Sequence, residues 1–292
     1  MSDVLSAAAH ARDFSGSVER GGFLLTYRCE GQGEPVLVIG SADYYARCFP
    51  AFTRDRFRFY FLDHCGFAAR TDGQADDDFS LDRIVDDIEG VRRQLGVKRF
   101  AILGHSGHGY MALAYAARFP DRVSHVVMVA TAPSQSELML KAAEHRFDAH
   151  ADAERKAILA KDLAQLDADI AAEPGARFRH LLVRLGARSW HDPGYDARPL
   201  WQGIPINDRV FDHLWGEVFR DIEIRALATK IEVPVLIALG ASDYLIAPPD
   251  SWDDILPVFR KVDRVVFANS GHTPPLEEPE AFAETLLGFI EN

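Results

Sequence analysis

Short, almost wholly apolar runs alternate along this chain with stretches whose apolar residues recur every three or four positions. Pro35-Val-Leu-Val-Ile39, Phe57–Leu62, Phe100–Leu103, Val126–Ala130, Val235–Leu239 and Val265–Phe267 are runs of the first kind. Apolar runs of that length without polar alternation predict strands buried on both faces. Leu81, Ile84, Val85, Ile88, Val91 and Leu95 have helical spacing behind Ser80, a plausible N-cap. A second helix, with Met111, Leu113, Ala114 and Ala117, follows the Phe100 run and ends at Phe119-Pro120. Residues 18–40 read as two or three strands, punctuated at Gly31-Gln-Gly33. The alternation predicts an α/β fold with a mostly parallel central sheet and helices on both faces.

The rhythm changes after Pro133. From 134 to 229 the sequence contains helical patterns only, such as Leu138–Phe147 and Ala153–Ile170, then a looser aromatic stretch. Strand and helix signals resume afterwards, with helices expected over Trp252–Phe259 and Phe282–Ile290. The expected organisation is a core of residues 1–133 and 230–292, interrupted by a helical cap at 134–229.

Charge narrows the partners. A formal charge of −12 argues against nucleic acid and anionic membrane, which need clustered Lys or Arg. No apolar run reaches the ~18 residues of a membrane span. The first ten residues lack the basic start and apolar stretch of a signal peptide. Cys29, Cys48 and Cys65 are odd in number and lack metal-ligand spacing, which fits reduced thiols in a cytoplasmic enzyme. No metal or cofactor is expected, and a homodimer is left open.

The chemistry centres on Gly104-His105-Ser106-Gly107-His108-Gly109, where a strand turns abruptly into a helix. A serine there has a strained backbone and an exposed hydroxyl, and the following helix amides stabilise negative charge. The pattern departs from G-x-S-x-G, since His108 holds the last position. A base and an orienting acid must activate such a serine. Asp243 follows the strand ending in Leu239-Gly240, and His272 follows the strand ending in Phe267. Both fall at carboxyl ends of strands, in the order serine, acid, histidine. Asp243 also reads as an Asx-turn former, and His272 as a loop histidine packed on proline. Oxyanion donors are expected from the Gly107 amide and from Ser41 or Ala42 after Ile39. Asp43, close to a developing anion, must point away.

On these residues the chain resembles the α/β-hydrolases, in particular the proline-iminopeptidase-like branch. Phe119–Pro133, Gly240-Ala-Ser-Asp243 and Ser270-Gly-His272 with Glu278-Pro279 are similar to segments of that branch. Asp63-His-Cys-Gly66-Phe67 resembles its Asp-x-Arg-Gly-x-Gly turn, with Cys65 replacing the arginine and Ala68 the second glycine. The oxyanion loop lacks the His-Gly-Gly-Pro type sequence. The resemblance implies the α/β-hydrolase fold with an inserted cap, and a Ser106–His272–Asp243 triad. In an iminopeptidase, cap carboxylates hold the substrate's amino terminus; Glu217, Asp221 and Glu223 are the corresponding candidates, or else a solvated helix face.

Trp190, Trp201 and Trp215, with Tyr44 and Tyr45, either pack the cap on itself or wall an apolar pocket. His108, expected neutral at a helix N-terminus, is either tolerated between two glycines or contacts substrate or the oxyanion loop. The expected activity is a serine hydrolase acting on a small, largely apolar carboxylic ester, lactone or activated amide. A proline-iminopeptidase-like aminopeptidase is the alternative within this chemistry. A cofactor-free oxygenase and a ligand-binding receptor are the alternatives outside it.

Overall fold

Side chains along each central strand alternate between two apolar layers. Val36 and Val38 enter one, Leu37 and Ile39 the other; Ala101 and Leu103 separate likewise from Phe100 and Ile102. A sheet buried on both faces follows directly, as the continuous apolar runs require. The computed structural model describes residues 13–71 and 78–292; the N-terminal segment read above for a leader lies outside them.

The first half comprises β1 (Phe14–Arg20), β2 (Phe23–Gly31), β3 (Glu34–Gly40), α1 (Ala42–Cys48), β4 (Phe57–Asp63) and a short β5 (Ala69–Arg70). It continues through α2 (Leu81–Leu95), β6 (Phe100–His105), α3 (His108–Arg118) and β7 (Val123–Val129). Ser80 caps α2 by accepting the Arg83 amide, and Gly96 closes it with φ 67°. Only helices and turns follow until β8: α4 (Glu137–His150), α5 (Ala153–Leu163), α6 (Leu166–Ala172), α7 (Arg177–Arg184), α8 (Gly186–Ser189), α9 (Asp208–His213) and α10 (Ile224–Ala228). Then come β8 (Val235–Gly240), β9 (Val262–Phe267), α11 (Pro274–Glu277) and α12 (Pro279–Ile290).

The sheet order is β1-β2-β4-β3-β6-β7-β8-β9, with β5 on β2. β1, β2 and β4 pair antiparallel, and every pair from β4 to β9 is parallel. Successive strands step one way from β3 to β4 and the other way to β6, so the connections diverge between β3 and β6. That divergence opens a crevice at the carboxyl ends of the strands. The loops after β3, β6, β8 and β9 meet there.

Two expected elements differ. The helix anticipated over Ala153–Ile170 breaks into α5 and α6, where the Gln165 N–H bonds the Asp162 carbonyl three residues back, at 2.9 Å. The helix expected over Trp252–Phe259 is replaced by tight 3-10 turns at Pro249–Trp252 and Leu256–Val258. Pro257 lacks the amide hydrogen that an α-helix would need. No helix among the described residues is long and apolar enough to cross a membrane.

Candidate active site

Ser106 joins β6 to α3 with φ 57°, a left-handed conformation that a non-glycine residue occupies at a cost of about 1–3 kcal/mol. Three bonds hold it: its N–H donates to the Val129 carbonyl at 2.8 Å, and its own carbonyl accepts from Gly109 N–H at 3.0 Å and Thr131 Oγ1 at 2.8 Å. The close approaches between strand and helix here lie at Gly104 and Gly109. A Cβ on Gly104 would run into the His108 carbonyl, and one on Gly109 into the Thr131 side chain. Position 108 therefore has room for a side chain, and the glycine demanded by tight strand–helix packing sits one residue later.

Asp243 gives each of its two oxygens a separate partner. Oδ1 accepts the Leu245 amide at 3.0 Å, an Asx turn, while Oδ2 meets His272 Nδ1 at 2.7 Å. Both residues are buried. The helical segment between β7 and β8 supports these loops directly. Arg146 on α4 donates to the Ala241 and Asp243 carbonyls. The Arg188 carbonyl accepts Tyr244 N–H at 2.9 Å, and the Ser189 carbonyl accepts His272 N–H. Glu277 accepts the amides of Gly271 and Thr273 with Oε2, at 3.0 and 2.9 Å, and that of His191 with Oε1 at 2.7 Å. No motif or spacing in the sequence signals these supports. Only Glu278, which accepts the Ser270 hydroxyl at 2.7 Å, carried a signal, through its resemblance to the family's histidine loop.

Ser106 and His272 open into a cavity of about 490 Å³, also lined by Tyr44, Tyr45, His105, His108, Trp190, Trp201 and Trp215. Phe67, Phe178, Leu181, Leu182, Leu185 and Phe211 make the rest of its wall largely apolar. The tryptophans both pack and line. Trp201 lies 4.6 Å from the Tyr44 ring and Trp190 4.4 Å from that of Tyr195, centroid to centroid. Trp215, with Phe219, covers the Cα of Gly107.

The oxyanion loop needs one correction. The Ala42 amide donates to Asp63 Oδ1 at 2.7 Å, so it is committed to β4 and cannot serve an oxyanion. Ser41 caps α1 through its hydroxyl, which accepts the Tyr44 amide at 3.3 Å. Asp43 points away, paired with Arg28 at 2.9 Å. The carboxylates considered for an amino-terminus site are also accounted for. Glu217 pairs with His213 at 3.1 Å and Asp221 with Arg220 at 2.5 Å; neither they nor Glu223 line the cavity.

His108 reaches across toward α1 and the end of β4. Its Nδ1 lies 3.0 Å from Tyr45 Oη and 2.9 Å from the His105 carbonyl, and its Nε2 lies 3.1 Å from His64 Nε2. Burial depresses its basicity, with His64 and His105 adding to the effect. Burial likewise holds His64 and His105 down to about 3 and pushes Asp63 up to about 7. The consequences for acid stability have opposite signs. A depressed histidine stabilises the fold above 6.5 and loses that stability as pH falls toward its folded value. For His64 and His105 the loss by pH 4.5 is on the order of 3 kcal/mol each. A raised carboxyl stabilises the fold below its unfolded value and loses that stability as pH rises through 7; Asp63 thus offsets ~3 kcal/mol at pH 4.5. With three buried histidines set against Asp63, a net loss of stability between pH 8 and 4.5 is expected. Urea unfolding at the two pH values measures this, and a pH-independent midpoint would contradict it.

Among the described residues no group of three or more His, Cys, Asp or Glu side chains could hold a metal ion. The alpha/beta hydrolase fold family matches residues 35–279. An AB hydrolase superfamily protein of Bacillus subtilis, YclE, is 40% identical over 92% of this chain and 96% of its own. A bifunctional esterase/perhydrolase of Acinetobacter calcoaceticus is 26% identical over 82% of this chain and 84% of its own. Among solved structures, proline iminopeptidase of Mycobacterium smegmatis superposes with a TM-score of 0.71 at 21% identity, covering 95% of this chain and 98% of that one.

Proposed function

The chain belongs to the alpha/beta hydrolase fold family, and from that premise we propose that it is a serine esterase acting on small, largely apolar carboxylic esters, lactones or activated amides. The observation that carries this reading is the buried Asp243–His272 pair, bonded at 2.7 Å beside a cavity that also receives the strained Ser106. Asp243 keeps the proton of His272 on Nδ1, which leaves Nε2 to accept the Ser106 proton as Oγ attacks the substrate carbonyl. The negative charge moves to the carbonyl oxygen, received by the amides of Gly107 and Ser41. His272 returns the proton to the leaving alcohol or amine, and then activates water against the acyl-enzyme. Tyr44, Trp190, Trp201 and Trp215 bind the apolar part of the substrate, and residues 134–229 act as the cap that closes over it.

The cavity favours this reading over an aminopeptidase. A bound amino terminus needs an unneutralised carboxylate facing it, and Asp212, which does line the cavity, is paired with Arg177. Labelling with a fluorophosphonate, alongside turnover of p-nitrophenyl esters, tests the proposal. Rapid labelling with multiple turnovers is expected. Labelling without turnover would point to a receptor, and oxygen consumption with a quinolone-like substrate to a cofactor-free oxygenase. Faster cleavage of prolyl amides than of esters would restore the peptidase.

A further inference from the structure

Three histidines that the triad does not use lie buried behind Ser106, and together with Tyr45 they form one continuous hydrogen-bonded series. We propose that His64, His108, Tyr45 and His105 form a chain of fixed sense that ends on the backbone carbonyl of His272 and positions this base relative to Ser106. The inference rests on the serine-esterase reading for its kinetic consequence, though not for the chain itself.

The two ends dictate the sense independently. At one end, the Gly66 amide donates to His64 Nδ1 at 3.0 Å, so the ring proton of His64 is on Nε2. That N–H must donate to His108 Nε2, which leaves the proton of His108 on Nδ1. His108 Nδ1 duly faces only acceptors that suit it, the His105 carbonyl and the Tyr45 oxygen. At the other end, the His272 carbonyl lies 2.7 Å from His105 Nε2, which must therefore carry the proton of His105. His105 Nδ1 is left as an acceptor, and the Tyr45 hydroxyl donates to it at 3.0 Å. The assignments made from each end meet at Tyr45 without conflict. A further proton on His64 or His108 would set two donors against each other, His64 Nδ1 against the Gly66 amide or His108 Nε2 against His64, and one on His105 Nδ1 would leave the Tyr45 hydroxyl proton without an acceptor in the chain. The chain holds together only with neutral imidazoles, and their depressed basicity agrees.

Its placement gives it a task. Tyr45 belongs to α1, directly behind the oxyanion loop; His105 immediately precedes the nucleophile; His108 follows it by two positions. The ring of His105 packs edge-on against that of His272, 4.6 Å between centroids. One bond therefore ties the residue beside Ser106 to the main chain of the base. His272 is thus held through its N–H by Ser189, through its ring by Asp243 and through its carbonyl by His105. His108 occupies the usual glycine position because it links this chain to His64.

The ¹⁵N spectrum of the unliganded protein tests the sense of the chain. His64 and His105 are expected as Nε2–H tautomers and His108 as the Nδ1–H tautomer, and any other set overturns the proposal. Tyr45→Phe removes only the central hydroxyl. It is expected to shift the ring resonances of His272, which Tyr45 does not bond, and to lower kcat about tenfold while KM changes less than about twofold. His105→Gln, which can still accept from Tyr45 and donate to His272, should recover much of the activity that His105→Leu loses. Unmoved His272 resonances and unchanged kcat in folded Tyr45→Phe would overturn the positioning role, as would an effect confined to KM. If no ester is turned over at all, the hydrolase reading fails, while the tautomers and the His272 resonances still decide the chain.

Discussion

Ser106→Ala is expected to lower kcat for a short p-nitrophenyl ester by about 10⁶-fold, with the protein still folded. Without Oγ there is no atom placed to form the acyl-enzyme. His272 can then act only on water, and what remains is the contribution of binding and oxyanion stabilisation, roughly 10³–10⁴-fold over the uncatalysed reaction. Alanine retains a Cβ at φ 57°, so the backbone strain persists and the melting temperature should change little. Ser106→Gly should be equally inactive yet more stable by ~1 kcal/mol, because glycine occupies that conformation without strain. The pair separates chemistry from folding: two dead variants with different melting temperatures identify Ser106 as a strained nucleophile. Activity within tenfold of the parent in either would reject it.

Asp243→Asn should cost about 10⁴-fold in kcat. The reason lies in how the carboxylate is shared. One oxygen accepts the Leu245 amide and the other faces His272 Nδ1. Asparagine has a single acceptor oxygen, and if that serves Leu245, its NH₂ is left pointing at the imidazole. His272 must then accept at Nδ1 and carry its proton on Nε2, the nitrogen that has to receive the proton of Ser106. The reverse orientation sets the NH₂ against the Leu245 N–H in a buried site, which leaves two donors unpaired. Either way the base is lost or the loop is strained. Raising the pH should not restore activity, since the defect is one of tautomer. A loss below tenfold, with labelling of Ser106 intact, would move the acid's role to another residue.

The parts of this site legible in the sequence are those that topology delivers in chain order. The strand runs locate the carboxyl ends of β6, β8 and β9, and the residues just beyond each are Ser106, Asp243 and His272. The strand-to-helix turn at Gly104–Gly109 is a local feature and was readable as such. What escaped depends on contacts between distant segments. Ala42 looked like an oxyanion donor because its loop was right; its commitment to Asp63 comes from the end of a different strand, 21 residues away. His64, Tyr45, His105 and His108 share no spacing that a sequence pattern could register, and only the sheet order brings β3, β4 and β6 side by side. The helix expected near Trp252 failed for a local reason, Pro257, that its apolar spacing concealed.

The backbone bonds between the helical segment and the catalytic loops bear on any attempt to recombine this protein with its relatives. Arg146, the carbonyls of Arg188 and Ser189, and the amide of His191 all support the acid and histidine loops from within residues 134–229. The segment that walls the pocket is therefore also part of the frame that holds Asp243 and His272 in place. On the serine-esterase reading, a chimera that exchanges it to acquire a new substrate range inherits a misaligned His272 unless the incoming segment brings the same guanidinium and the same carbonyls. If Ser106, His272 and Asp243 act as proposed, specificity and catalytic competence are not separable modules in this chain, and substitutions on the inner surface of the cavity are the safer route to altered selectivity.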